Sequence, residues 1–292
     1  MKLGVSFPQV ELAGSAAALS QFTTAAEDLG YDHVLMYDHV VGAVHRDRTP
    51  ALPELAYTEH DPFHDPLVSF AYLAALTTRI RLVTGVLVLP QRQTVLVARQ
   101  VADVSILSGG RLALGVGVGL NYVEYDALGE QFSTRGARLT EQIPYLRRLW
   151  TEDVVTFSGK FDQIDRAALN PKPRMQIPIY TGGWSEAAFQ RAVALADGFI
   201  FAGGNDHSLA AWSRVQQLLQ ESGRSPSSFA SYFNLHIDEH GPDRQRTLDT
   251  ISRLSDAGAT HITASTFGQG FTHVGEHVDY LEWLATHVDQ GP

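Results

Sequence analysis

The 292-residue chain has no cysteine, which excludes disulfides, thiolate metal sites and a cysteine nucleophile. Lysine is scarce too, 3 residues against 19 arginines. Arginine suits bidentate contacts to phosphate and carboxylate, but a GC-rich coding sequence explains the bias more simply. No basic block occurs: residues 1–150 carry 12 basic and 15 acidic groups, and residues 151–292 carry 10 and 17. Nucleic-acid binding depends on neutralising phosphates, so no such partner is expected. Nor does any apolar run approach the roughly 20 residues of a membrane helix; the most apolar stretch, 83–89, stops at Pro90. The first residues offer one lysine and an apolar run ending at Pro8-Gln9, too short for the h-region of a secretion signal. These absences predict a cytoplasmic protein.

What is present is a folding composition, 44% hydrophobic and 18% charged, with a net charge of −10. Short β-branched runs at 3–7, 33–37, 80–89, 111–116, 177–180, 198–202, 231–237 and 261–264 predict eight strands. Between them lie amphipathic stretches. Leu19, Phe22, Ala26 and Leu29 fall at helical spacing before Gly30. Asp65-Pro66 reads as a cap and first helical residue of a helix to Leu76. Further helices are predicted over 94–107, 134–150, 185–196, 208–221, 243–257 and 274–288. Pro144 conflicts with the fourth of these helices and predicts a kink or a late start. The segment 38–65, rich in Pro, His and charge, reads as a loop, and 154–175 as an inserted hairpin. Strict alternation of strand and helix predicts a (β/α)8 barrel forming a single domain over 1–292, with an insertion before strand 5.

In such a barrel the active site lies where the strands end. Strand 2 is followed by Asp38-His39. A histidine there can act as acid, base or hydrogen-bond donor; equally, the pair can be a turn cap and a solvated ring. Gly85-Val86 interrupts an apolar strand, as a bulge, a close ligand approach or tight barrel packing would require. Strand 4 runs into Gly115-Val116-Gly117-Val118-Gly119-Leu120-Asn121. The G-x-G-x-x-G spacing of a dinucleotide site is missing, so these glycines fit either a ring packed on bare backbone or a tight turn. Thr181-Gly182-Gly183-Trp184-Ser185 opens a helix, a place suited to phosphate. Glu186 already complements that helix dipole. Gly203-Gly204 after strand 6 borders the same end.

The 12 histidines raise the question of a metal. His60 and His64 are separated by Pro62, and His273 with His277 reads as a surface pair on the last helix. No H-x-H, H-E-x-x-H or G-x-S-x-G motif occurs. No metal site is expected.

Taken in order, Ala26-Glu27-Asp28-Leu29-Gly30-Tyr31-Asp32, Asp38-His39, the run from Arg79 to Pro90, Leu107-Ser108-Gly109-Gly110-Arg111 and the strand 4 glycines resemble the luciferase-like monooxygenase family. Arg135-Gly136-Ala137-Arg138, Glu141, Leu149-Trp150, Asn170-Pro171-Lys172-Pro173 and Ile179-Tyr180-Thr181-Gly182-Gly183 continue the match. The sequence is most similar to the branch of oxidoreductases that use coenzyme F420, a deazaflavin. The resemblance implies hydride transfer between F420 and a small-molecule substrate, in a cytoplasmic homodimer. It also implies that Asp38 and His39 face the cofactor ring, with His39 catalytic. Gly85-Val86 would form a bulge behind the ring, often with a non-prolyl cis peptide. Gly117, Asn121, Thr181 and Gly203 would line the cofactor site, and Gly182 and Gly183 would hold the phosphate end. FMN in a monooxygenase of this fold, or a non-catalytic flavin or deazaflavin carrier, are the alternatives. The related sugar-phosphate dehydrogenases place an acid where this chain has Leu120, which argues against their reaction here.

Overall fold

A computed structural model describes residues 1–12, 14–53, 57–235 and 243–288. Each β-branched run folds as a parallel strand and each amphipathic stretch as the helix that covers it. The order is β1 (Lys2–Ser6), α1 (Gln9–Leu12), α2 (Ala16–Asp28), β2 (His33–Met36), α3 (Pro66–Leu76), β3 (Arg81–Thr84), β4 (Leu87–Val88) and α4 (Thr94–Leu107). It continues with β5 (Leu112–Gly117), α5 (Tyr122–Ala127), α6 (Arg135–Thr151), β6 (Val155–Ser158), β7 (Gln163–Ala167), β8 (Ile179–Gly182) and α7 (Glu186–Leu195). The last elements are β9 (Gly198–Ala202), α8 (Asp206–Glu221), β10 (Ala230–Leu235), α9 (Arg244–Asp256), β11 (His261–Ser265) and α10 (Val274–His287).

The strands pair in the order β3-β2-β1-β11-β10-β9-β8-β5, and β3 pairs with β5 to close the ring. Counting β3 and β4 as one interrupted stave, the ring has eight, and the predicted (β/α)8 barrel is the fold. The expected hairpin is β6 and β7, an antiparallel pair outside the barrel that precedes the fifth stave. Glu141 on α6 holds its turn by accepting from the N–H groups of Lys160, Phe161 and Asp162. Asp65 caps α3 through the N–H groups of Leu67 and Val68, with Pro66 opening the helix as the sequence predicts. Among the described residues of 38–65 there is no helix or strand. The expected end of the seventh strand at Ile237 lies outside the described residues.

Several expectations are corrected. The predicted third strand, 80–89, is two strands. Helix α6 begins at Arg135 and continues through Pro144; burial of Leu139, Ile143, Leu146 and Trp150 outweighs the one hydrogen bond that proline removes. His277 is fully buried, with Nδ1 2.7 Å from Thr266 Oγ1, so it is a core residue and not half of a surface pair. None of the described helices is long and apolar enough to cross a membrane.

Side chains alternate across each strand. Leu35, Val83, Ala113, Tyr180, Ile200 and Tyr232 form a cluster inside the barrel, while Val34, Leu82, Leu114, Ile179, Phe199 and Phe233 belong to the larger core under the helices. This alternation decides which residues near the strand ends face the lumen.

Candidate active site

Beyond the inner cluster, at the C-terminal strand ends, the lumen positions are Ser6, Tyr37, Gly85, Gly117, Gly182, Ala202, Asn234 and Ser265. Apart from Tyr37 they are small, so the upper end of the barrel is concave. Tyr37 is fixed at its backbone by Gln9, whose Oε1 accepts from Tyr37 N at 2.7 Å. Its hydroxyl lies against Ser6 and Asn234, yet Tyr37 Oη, Ser6 Oγ and Asn234 Oδ1 are all buried without a hydrogen bond of proper geometry. Burial pushes the Tyr37 hydroxyl up to about 12. Three unpaired buried polar atoms facing one space are costly unless something pairs them.

The break between β3 and β4 shapes the wall opposite. Val83 pairs with Ala113 and Leu87 with Val116, so one stave advances four residues where its neighbour advances three. Gly85-Val86 therefore carries a one-residue bulge. The bulge throws Val86 across the lumen rim: a Cβ on Gly117 would meet Val86 Cγ1 at 2.2 Å, and one on Gly182 would meet Val86 Cγ2 at 2.9 Å. Sequence residues 86, 117 and 182 thus come together, and two of them must lack side chains. The expected cis peptide at Gly85-Val86 is not found: among the described residues the cis bonds are Thr49-Pro50 and Asn170-Pro171. The extra residue already displaces the chain, so trans geometry suffices.

Asp38 sits just behind this bulge. Its Oδ2 accepts from Val88 N at 2.8 Å and its Oδ1 from Arg92 Nη2 at 2.6 Å, while Arg92 Nη1 reaches Asp65 Oδ2 at 3.0 Å. Burial raises the Asp38 carboxyl, with Arg92 opposing. Both oxygens are committed to the protein, so the structure places Asp38 as the anchor of the bulge and of the loop end at Asp65. Arg92 was not anticipated from the sequence; its signal is a lone cation just past a strand end.

His39 leaves the strand and enters an aromatic box, its ring 3.3 Å from that of Tyr57 and 4.5 Å from that of Phe63 between centroids. Nδ1 is buried and unpaired. Burial holds the imidazole down to about 3, with Asp61 opposing. The two rings remove the water that would solvate its cation. Glu124, also missed by sequence reasoning, lies beside Tyr57 and accepts from Val40 N at 2.6 Å and Val41 N at 3.3 Å. It pins the start of the 38–65 loop.

The other predicted residues separate. Asn121 caps α5 through Val123 N and reaches Val41 O with its amide. Gly183 (φ 137°) and Gly203 (φ 102°) make the turns into α7 and α8. Thr181 follows the outward register of Phe199, away from the lumen, although its buried hydroxyl is unpaired.

The molecule is thus a closed parallel barrel with a bulged third stave and a mouth lined by small residues. The luciferase-like monooxygenase family matches residues 1–289, and the chain belongs to that family. An uncharacterized protein of Mycobacterium tuberculosis is 34% identical, covering 94% of this chain and 97% of its own. An F420-dependent glucose-6-phosphate dehydrogenase of Nakamurella multipartita is 30% identical over 79% of this chain and 66% of its own. Among solved structures, the monooxygenase RslO1 of Streptomyces bottropensis has a TM-score of 0.77 at 20% identity, over 99% of this chain and 98% of that one. The coenzyme F420-dependent tetrahydromethanopterin reductase of Methanopyrus kandleri has 0.76 at 15%, over 98% of both.

Proposed function

We propose that this oxidoreductase uses the deazaflavin F420 and moves hydride between it and a small organic substrate held at the upper end of the barrel. The observation that carries the reading is the cradle: Val86 laid across bare Gly117 and Gly182, facing the unpaired Ser6, Tyr37 and Asn234 atoms. An apolar face with a few convergent polar groups suits a flat heterocycle. Relatives named as F420-dependent favour F420 over FMN; the likeness to a monooxygenase is one of fold.

In this reading Gly85-Val86 backs the ring and Ser6, Tyr37 and Asn234 take its polar edge. N–H groups of Gly182 and Gly183, with Gly203 and Thr181 beside them, hold the phosphate end. Asp38 and Asn121 act by holding the bulge and the loop in place. A bound deazaflavin supplies the hydride donor or acceptor. His39, kept neutral by Tyr57 and Phe63, would donate a hydrogen bond from its ring N–H to a substrate oxygen as negative charge develops there, and the proton that completes or leaves the hydroxyl would exchange with solvent. A neutral imidazole is a competent donor of this kind. Fluorescence titration with F420 and with FMN tests the reading. F420 should bind at least about tenfold more tightly, and FMN binding more tightly would overturn it in favour of a flavin monooxygenase.

The enzyme is also proposed to be a homodimer. Val68, Tyr72 and Leu76 form a stripe on α3, and Val95, Leu96, Ile106 and Leu107 are exposed on the adjoining α4. Exposed apolar residues on two neighbouring helices suit a second copy of the same surface. The parent should sediment as a dimer and Val68→Asp/Leu107→Asp as a monomer. A monomeric parent would contradict the proposal.

A further inference from the structure

The lower end of the barrel, opposite the cradle, carries an open depression of about 510 Å³. Its walls include Pro178, Tyr180, Phe229 and His261, with Arg81 at one side and Thr260 beside it. We infer that this depression binds a small organic carboxylate with a flat apolar body, its oxyanion on the Arg81 guanidinium. The inference is independent of the reading of the upper end.

The aromatic wall is built and uncharged. Tyr232 and His261 stack with centroids 4.0 Å apart and planes 9° from parallel, and Tyr180 lies 4.9 Å from Tyr232. Thr260 Oγ1 accepts from Ser231 N and donates to Ser231 O. His261 Nδ1, 2.8 Å from the same oxygen, is therefore the donor to it. Burial and the neighbouring His33 push the His261 imidazole down, so it stays neutral.

Arg81 has the Tyr180 side chain as a hydrogen-bond partner and, among the described residues, no carboxylate in contact, so it is the group able to take an anion. Asp197, the acid in the lining, is paired with Arg147: its Oδ2 accepts from Arg147 Nη2 and from Ile179 N, both at 2.8 Å. Asp32 acts on Arg81 at a distance but directs its Oδ2 to His33 Nδ1 at 3.2 Å, and His33 in turn bonds Thr263 at 2.8 Å. Among the described residues no carboxylate lies within ion-pair reach of Arg81. A guanidinium beside aromatic walls recognises a planar carboxylate by charge-assisted hydrogen bonds and stacking, and the volume fits a small ligand.

The probe is benzoate, with benzamide as its uncharged counterpart and inorganic phosphate as an oxyanion without the apolar body. Binding is read by calorimetry on the full chain and by the shift of the His261 ring signals in NMR. Benzoate should bind with a Kd of about 1 mM or tighter, and benzamide and phosphate at least about tenfold more weakly. Arg81→Gln should weaken benzoate at least about tenfold. Because Arg81 also sits near Asp32, a second variant guards against misfolding: Ser228→Trp, at an exposed lining position, should block entry with the fold intact. No benzoate binding at about 10 mM, equal affinity for benzamide, stronger binding of phosphate than of benzoate, or binding unchanged in Ser228→Trp would each overturn the inference.

Discussion

At the lower end of the barrel the inward side chains are large and hold one another: Tyr232 stacks on His261, His33 bridges Asp32 and Thr263, and Tyr180 packs beside them. Further along the same staves the lumen is lined by Ser6, Gly85, Gly117, Gly182, Ala202 and Asn234, and three buried polar atoms face it unpaired. The same eight staves thus carry large, mutually packed rings at one end and small residues at the other. The lower rings fill the lumen where they stack, although Tyr232 Oη is itself buried without a partner and a depression opens below them. At the upper end small residues leave a concavity, and it is there that the bulge, the loop 38–65 and two helix starts converge. In the proposed reading the hydride chemistry is confined to the upper end of the barrel axis.

The sharpest way to break that contrast is at His39. His39→Ala should lower turnover about 10²–10⁴-fold at saturating F420, with cofactor affinity changed no more than a few-fold. Because its imidazole is held down to about 3, the rate profile of the parent should show no histidine inflection between about pH 6 and 8. Turnover within a few-fold of the parent would make His39 a wall of the pocket.

Asp38 tests the support behind the upper end. Asp38→Ala leaves Arg92, whose side chain is 15% exposed, with Asp65 alone. Urea unfolding should show a loss of about 3–5 kcal/mol, together with weakened F420 binding as Val88 loses its acceptor. A loss below about 1 kcal/mol would place the pair among ordinary surface bridges.

Gly117→Ala sharpens the contrast without touching charge. Its Cβ must push Val86 aside, which should cost about 1–3 kcal/mol in stability and weaken F420 at least about tenfold. Unchanged affinity in a folded variant would mean that Val86 does not back the ring.

Much of this was legible from residue spacing. Strand and helix alternation, the Asp65-Pro66 cap and the inserted hairpin are all local patterns, and each appears in the structure. The interruption at Gly85 was readable as a bulge, but that one extra residue sits against β5 is a matter of register that sequence does not state. The partners of Asp38 and His39 were illegible for the same reason. Arg92 lies 54 residues from Asp38 and Tyr57 18 residues from His39 along the chain, and only the folding of the ring and of the 38–65 loop brings them together. The ordinary titration range of His39 could be inferred from its residue type, whereas the two rings that suppress it come from a loop without periodicity.

Glu27, on the outer side near the lower end, gives the smallest effect and a control on the purely structural half. Burial pushes its carboxyl up, but the N–H groups of Ile80, Arg79 and Thr78 more than offset this and hold it down to about 2. A depressed folded pKa contributes stability that is present above the unfolded value of about 4.3 and is lost as the pH falls toward 2. Glu27→Gln should cost about 2 kcal/mol at neutral pH, with the gap to the parent closing below about pH 4. Activity per folded molecule should be unchanged; a constant gap across that range would deny the linkage.

The measurement that bears most directly on the central claim is a crystal structure of the F420 complex. The ring should lie against Val86 between Gly117 and the 38–65 loop, with its polar edge within about 2.7–3.2 Å of at least one of Ser6 Oγ, Tyr37 Oη and Asn234 Oδ1. A ring bound elsewhere, with those three atoms still unpaired, would contradict the account.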